Sequence, residues 1–518
     1  MEPQIKADVS LANAVRYHAR WRPESAAVKY GDRVLSWSEL DRSTSELAAG
    51  LRARGVGHGD RVGCLSLNSV EYVELVTACM KLGAVFVPLN VRLVAKELSW
   101  IIDHAGCSVV VVDGTLLPRI DEARGEIGDI QYFCTDTDVP SWAEPFEALR
   151  MSGGQDPMVP VGVHDVLFIC YTSGTTGLPK GAMLTHGSVE RHAQHRILAD
   201  HLTADDVGLL VYPLAFTGGV VSFWMPVYVV GATLVLEQDF EPGRALDLIE
   251  QEGVSFFIGV PVIWEQLALH DRFHTADLSS LRACSSGGAP VPESLLKTWQ
   301  ERGVGLGQGY GLTEGSGFSI GLPAHDALDK LGFAGVPLMH TRAKVVRDDG
   351  SAADVGEVGE LCLSGPDIML GYWNDPEATA GAIRDGWLHT GDMALVDEEG
   401  YFKIVDRKKD MFQSGGLNVY PAEIERVIFA YPGVQEVAVI GVPNEKWGEV
   451  PAAVVYTQGE ELNIDDLIAY CHKEMADYKV PKHVIVREKP LPRNMSQKVL
   501  KRELREEYDL PGHATVGT

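Results

Sequence analysis

The chain has 518 residues, 45% of them hydrophobic, and a formal net charge of −27. A chain of this length outgrows a single hydrophobic core, so two or more domains are expected. The acidity excludes a general binder of nucleic acid or of anionic membranes, because both surfaces are recognised through clustered Lys and Arg.

Eight cysteines (Cys64, Cys79, Cys107, Cys134, Cys170, Cys284, Cys362 and Cys471) form no C-x-x-C pair. That spacing points to neither a zinc site nor a disulfide framework. Several lie in apolar runs, where a thiol acts as a small hydrophobe. A reducing, cytoplasmic setting is the expectation. Met1 to Asp8 lack the basic-then-apolar pattern of an export signal, and Ala514 to Thr518 carry no lipidation or retention motif. Oligomeric state is not legible in the sequence; a homodimer is compatible with it.

In chain order, the spacing of Leu40 to Leu51 predicts a helix, Arg61 to Ser66 a strand, Val70 to Leu82 a helix and Val109 to Val112 a buried strand. Alternating helices and continuously apolar strands predict an α/β fold with a parallel sheet covered on both faces. The same alternation recurs from Asp206 to Val260. Val220 to Leu236 is the most apolar window. It is interrupted by Pro226 and Gly231 and is short for a membrane span, so it reads as buried strand and helix.

Between these stretches lies Tyr171-Thr-Ser-Gly-Thr-Thr-Gly-Leu-Pro-Lys-Gly181. Thr172, Ser173, Thr175 and Thr176 supply hydroxyls, Gly174 and Gly177 allow close backbone approach, and Lys180 supplies charge. The composition is that of a polyphosphate cradle. It is not a P-loop, because Pro179 stands where that motif needs glycine before lysine. The apolar run Val166 to Cys170 precedes it as a predicted strand, and a helix is predicted to begin at Ser188 as N-cap. A loop between a strand and a later helix is where open α/β proteins bind phosphate.

Near residue 400 the pattern changes. Gly400 to Val405, Val437 to Ile440 and Ala452 to Tyr456 read as strands, and Glu423 to Ala430 and Ile464 to Met475 as helices. A small α+β unit of about a hundred residues is expected there.

The ordered motifs resemble those of adenylate-forming enzymes, specifically acyl-CoA synthetases (carboxylate–CoA ligases), from about Tyr17 to Leu504. They are the loop Thr172 to Lys180, Ser286-Gly-Gly-Ala-Pro290, Gln308-Gly-Tyr-Gly-Leu-Thr-Glu314, Trp387-Leu-His-Thr-Gly-Asp392, Asp406-Arg-Lys-Lys-Asp410 and Pro492 to Leu504. The resemblance implies an N-terminal adenylation domain over 1–408, built of parallel and mixed sheets with helices. It also implies a mobile α+β domain over 409–518, hinged at Lys409.

It further implies an ATP site formed by Thr172, Ser173, Gly174, Thr175, Thr176, Gly177, Lys180, Gly288, Ala289, Pro290, Gln308, Gly309, Tyr310, Gly311, Thr313, Asp392 and Arg407. Tyr310 would stack on adenine, Thr313 would meet the α-phosphate, and Asp392 and Arg407 would hold the ribose. Glu314, with Thr176, would hold Mg²⁺. Lys498 is the implied catalytic lysine, joined by Thr313 and Glu314. Gly415, Gly416 and Leu417 are the implied CoA contacts.

The implied acyl pocket is Phe216, Thr217, Gly218, Val260, Gly287, Gly309, Gly311 and Gly315. None of these is charged, which favours an apolar acid: fatty, aryl or alicyclic. ATP, Mg²⁺ and CoA are the expected co-substrates and cofactor, with no nucleic-acid partner and no stable membrane insertion.

The chemistry makes sense of such residues. A carboxylate must attack the α-phosphorus of ATP, anion against anion, so positioning and charge neutralisation dominate. The chain departs from the pattern at Phe216 (commonly His), Gln413 (often Lys), Asn418 (Gln in some relatives) and Gln497 (usually Gly).

Three rival readings concern the chemistry. The acyl group could pass to a carrier-protein thiol, or to oxygen in a luciferase-like reaction. Gly317-Phe-Ser-Ile-Gly321 also fits the G-x-S-x-G pattern of a serine hydrolase with Ser319 as nucleophile. The flanking glycines and Leu322-Pro323 do not suit the strand–turn–helix that a nucleophile elbow needs. A nucleotide-binding protein without catalysis is the last alternative, and the retained Lys498 argues against it.

Overall fold

The computed structural model describes residues 8–136, 138–172, 179–289, 291–415, 417–444, 446–459, 461–493 and 499–508. The chain forms two compact units, one of Met1–Ala343 with Leu363–Leu388 and one of Lys344–Cys362 with His389–Thr518.

Among the described residues the large unit contains an eight-stranded and a nine-stranded sheet. In the first, Arg61–Leu65 runs parallel to both Val85–Pro88 and Cys107–Val112. These strands are almost wholly buried and rich in valine, as strands covered on both faces must be. In the second sheet, Thr233–Leu236, Val207–Leu210, Phe256–Gly259, Ala283–Gly287 and Gly307–Leu312 are successive parallel neighbours. The predicted α/β class is what the structure has.

The helix predicted at Val70 to Leu82 forms with those bounds. Ser69 caps its N-terminus by accepting from the Tyr72 N–H, and Gly83 ends it at φ 64°, a left-handed conformation that glycine takes without strain. Every residue but Glu71 is buried, so this helix is core on all sides. Its buried charges are paired, Glu74 with Arg150 at 2.6 Å and Lys81 with Asp41 at 2.6 Å.

Three local expectations differ in detail. The helix His186–Asp200 is capped by Thr185, and Ser188 is the reciprocal third residue of the capping box. The phosphate-type loop lies between the strand Val166–Thr172 and the later helix as expected, with an unforeseen antiparallel strand, Lys180–Thr185, between loop and helix. The apolar window becomes a π-helical turn Gly218–Trp224, a helix Met225–Val230 and a strand Thr233–Leu236. Among the described residues no helix is long and apolar enough to cross a membrane.

In the smaller unit, the strands Glu436–Asn444 and Gly448–Tyr456 form a long antiparallel ladder, with His483–Arg487 parallel to the second. Helices Pro421–Phe429 and Ile464–Glu474 bury Ile424, Ile428, Leu467 and Cys471 in one core with Val439, Ala453 and Val455. The strand foreseen at Gly400 to Val405 spans Phe402–Arg407 and pairs with Trp387–Val396. All eight cysteines are buried and free.

Candidate active site

In the large unit the loop's two flanks are fixed by the hairpin. Thr172 and Lys180 are cross-strand partners, and the Thr172 hydroxyl donates at 3.4 Å to both the Lys180 carbonyl and Glu314 Oε1. Tyr171 anchors the strand from the other side, its hydroxyl 2.8 Å from His104 Nδ1, and burial raises its pKa. The expected loop residues Ser173, Gly174, Thr175, Thr176 and Gly177 lie outside the described residues. So do Pro290, Gly416, Gln497 and Lys498.

Glu314 sits in a short 3₁₀ turn, Thr313–Gly315, between the strands Gly307–Leu312 and Gly317–Leu322. Its Oε1 accepts a 2.9 Å hydrogen bond from the Tyr372 hydroxyl, and its backbone carbonyl accepts from Met369 N–H. Tyr372 is carried by the two-residue strand Gly371–Tyr372, which pairs with Lys180–Thr185. The same tyrosine ring lies under the Lys180 ammonium, 5.4 Å from its centroid. Burial, then the neighbouring Glu314 charge, raises the Tyr372 pKa, so the phenol remains a donor. Sequence reading missed Tyr372. The only signal available was a Gly-Tyr-Trp triplet after an apolar run, which carries no chemistry by itself.

Thr313 and Thr217 meet through their hydroxyls at 3.1 Å. Thr217 is the last residue before the π-helical turn, so that turn delivers the expected pocket wall to the Thr313–Glu314 turn. Phe216 is half-buried, its carbonyl accepting from Gly219 and Val220 N–H, and Gly218 is exposed beside the Tyr212 ring.

Gly288, at φ 83°, faces Val260, which lies 3.5 Å from where a Cβ would stand. Ala289 follows in the same turn. Gln308 is buried, its Oε1 accepting from Val291 N–H at 3.4 Å. Tyr310 is half-buried on the strand that also carries Gly309 and Gly311. A Cβ at Gly287 or Gly309 would come within 2.5 or 2.8 Å of the Phe318 ring. One at Gly311 would strike the Gly317 backbone, and one at Gly315 would reach the Ser319 hydroxyl at 2.7 Å. These glycines are therefore steric requirements, and Phe318, which fills the space beside Gly287 and Gly309, is a residue that the sequence reading did not name.

Ser319 itself is fully buried in the middle of the antiparallel strand Gly317–Leu322. A nucleophile elbow needs a sharp turn into a helix. The hydrolase reading has no structural basis.

In the smaller unit, Asp392 and Arg407 are cross-strand partners, with Arg407 Nε 3.6 Å from Asp392 Oδ1. The pair presents an acceptor beside a fork of donors, which suits vicinal hydroxyls. Asp406 holds the start of the helix Pro421–Phe429, accepting from Ala422 N–H at 2.8 Å, and burial raises its pKa. Lys409 lies in the turn after Arg407, with its pKa lowered by burial and then by Arg407. Gly415, at φ 60°, donates to the Trp447 carbonyl at 2.8 Å, and a Cβ there would meet the Trp447 ring. Leu417 is exposed. Two of the departures, Gln413 and Asn418, bond to each other at 3.2 Å across the hairpin.

The AMP-binding enzyme family profile matches residues 15–373, and that of the AMP-binding enzyme C-terminal domain matches 423–498. A feruloyl-CoA synthase from Amycolatopsis sp. is 41% identical over 95% of this chain and 97% of its own length. An indoleacetate–CoA ligase from Aromatoleum aromaticum is 38% identical over 96% of this chain and 98% of its own. The solved structure of a Mycobacterium tuberculosis fatty acyl CoA synthetase superposes with a TM-score of 0.77 at 37% identity, covering 97% of this chain and 99% of that one. With the Thr172–Glu314–Tyr372 arrangement in place, the chain belongs to the AMP-binding enzyme family, as an AMP-forming acid–thiol ligase.

Proposed function

We propose that this chain is an ATP-dependent acyl-CoA ligase. It joins an acid with a largely apolar body to AMP, releasing pyrophosphate, and then passes the acyl group to the thiol of CoA. The observation that carries the reading is the Glu314 carboxylate, held by the Tyr372 and Thr172 hydroxyls beside the Thr313–Thr217 pair.

Among the described residues no cluster of three or more His, Cys, Asp or Glu is assembled for a metal. That suits Mg²⁺, which takes one or two carboxylates plus substrate phosphates rather than a protein cage. Glu314, together with Thr176, would hold the ion in this reading, and the ion would neutralise phosphate oxygens.

The remaining roles belong to the chain. Thr172 and Lys180, at the two ends of the loop, grip the leaving pyrophosphate. Thr313 orients the α-phosphate, and Tyr310 stacks on the adenine. Asp392 and Arg407 hold the ribose, and Lys498 bridges the attacking carboxylate and the α-phosphate. Gly415, Gly416 and Leu417 take over beside the pantetheine arm once Lys409 has acted as hinge. Free, buried cysteines support work in a reducing cytoplasm.

The test supplies ATP, Mg²⁺ and a panel of carboxylates with and without CoA, and scores AMP, pyrophosphate and thioester. The expected products are AMP, pyrophosphate and an acyl-CoA; ADP release overturns the reading. Lys498→Ala is expected to abolish adenylation and to spare thioester formation from supplied acyl-adenylate. Equal loss of both steps contradicts the role of Lys498.

A further inference from the structure

The two residues read above as the ribose grip stand at the end of a strand ladder. Asp392 and Arg407 are the last cross-strand pair between Trp387–Val396 and Phe402–Arg407. Just before them Gly391 takes φ 70°, a left-handed conformation, and nothing lies within 4 Å of where its Cβ would stand. The glycine serves the backbone turn rather than a close approach. The end of a ladder is where local opening starts, so a binding pair placed there needs an outside hold.

Glu360 supplies one. It lies on the strand Gly359–Ser364, next to Trp387–Val396 in the same sheet, and its side chain is only 12% exposed. Its Oε1 accepts from the Gly391 N–H at 3.2 Å. Its Oε2 lies 3.5 Å from Lys408 Nζ and 3.4 Å from His389 Nδ1. Lys408 in turn donates its backbone N–H to the Gly391 carbonyl at 2.9 Å and its ammonium to Asp348 at 2.8 Å. The next residue of the Glu360 strand continues the hold. The Leu361 carbonyl accepts from the Thr390 hydroxyl at 2.8 Å, and that hydroxyl accepts from the Asp392 N–H at 3.1 Å. One carboxylate thus contacts the residue before Asp392 and the residue after Arg407.

Stability alone does not call for this arrangement. A largely buried charge loses its hydration, and apolar residues of similar volume often serve a fold as well or better. What a carboxylate adds is direction. It is a strong acceptor for a backbone N–H, and the bond fixes where that peptide points.

Resting on the ligase reading above, we propose that Glu360 is a positioning residue for the nucleotide. Through the Gly391 N–H it fixes the turn that carries Asp392, and so sets the Asp392–Arg407 pair to receive the ribose hydroxyls of ATP. It acts through Gly391 rather than by touching the substrate.

The experiment measures kcat and KM for pyrophosphate release with ATP, 2′-deoxy-ATP and 3′-deoxy-ATP, using one saturating acid that the wild-type enzyme activates. The wild type should prefer ATP by about tenfold or more in kcat/KM over at least one deoxynucleotide, since a charged acceptor is left without its hydroxyl. Glu360→Ala should raise KM for ATP by about tenfold, leave kcat less affected, and bring that preference close to one. Glu360→Gln keeps an acceptor for the Gly391 N–H and should retain the wild-type preference. Glu360→Met, of similar length but without the acceptor, carries the test should Glu360→Ala fail to fold. Ala and Met variants that slow all three nucleotides alike, with the ratio unchanged, overturn the proposal, because that is the result of a merely structural role. A Glu360→Gln variant as indiscriminate as Glu360→Ala overturns it too, and so does a wild-type enzyme that uses the three nucleotides equally. Absence of AMP and pyrophosphate from ATP with every acid would instead strike the ligase reading itself, and the proposal with it.

Discussion

The hydroxyl of Tyr372 donates a 2.9 Å hydrogen bond to the carboxylate of Glu314, 58 residues away in the chain. This bond sets the orientation of the acidic side chain proposed to meet the metal, while the same ring underlies Lys180. One tyrosine thus bears on both an acid and a base of the candidate phosphate site. Tyr372→Phe keeps the ring under Lys180 and deletes only the donor. A hydrogen bond to a charged group contributes about 1.5–3 kcal/mol, so adenylation should slow by roughly ten- to a hundredfold. Pyrophosphate release measured against Mg²⁺ concentration is the check. A shifted Mg²⁺ dependence supports positioning of Glu314, whereas unchanged kinetics remove Tyr372 from the site.

Gly309 has no room for a side chain, since a Cβ would stand 2.8 Å from the Phe318 ring. Gly309→Ala should destabilise the fold by about 1–3 kcal/mol, the usual scale of overpacking. Adding Phe318→Ala should return part of that loss by opening the space. Denaturant midpoints of the single and double variants decide the matter; strictly additive losses would show that the two positions do not compete for volume.

Two buried histidines make stability depend on acidity. Burial lowers the pKa of His186 to about 4 and of His192 to about 3, against about 6.5 in an unfolded chain. The unfolded state therefore takes up protons first as pH falls. The stability contribution is fully present above about pH 6.5 and is lost on acidification down to the folded-state values. Each histidine contributes a slope of at most about 1.4 kcal/mol per pH unit in that window. Urea midpoints should decline from pH 6.5 to 4.5, and His186→Gln should flatten the decline. A midpoint constant over that range would contradict the burial argument.

Ser319 should not react with a fluorophosphonate probe in the native protein, because it is buried in mid-strand. Mass spectrometry of the labelled chain provides the readout. Stoichiometric modification at Ser319 would reopen the hydrolase alternative.

By itself the sequence determined the α/β class, the family and the order of the chemical motifs. Each of those signals is local: a valine run such as Val109 to Val112, or a short motif in which hydroxyl, glycine, acid and lysine are close in the chain. Helix Val70–Leu82 has the bounds expected from the sequence, and the structure adds its Ser69 cap and the left-handed Gly83 that ends it. Only the tertiary structure decided which distant side chains complete those motifs. Sequence spacing cannot say that Tyr372 reaches Glu314, that Thr217 meets Thr313, or that Phe318 fills the space beside Gly287 and Gly309. Nor could it show that the His192 ring is buried against Gly317, since burial arises only when strand, helix and π-helical turn are packed together.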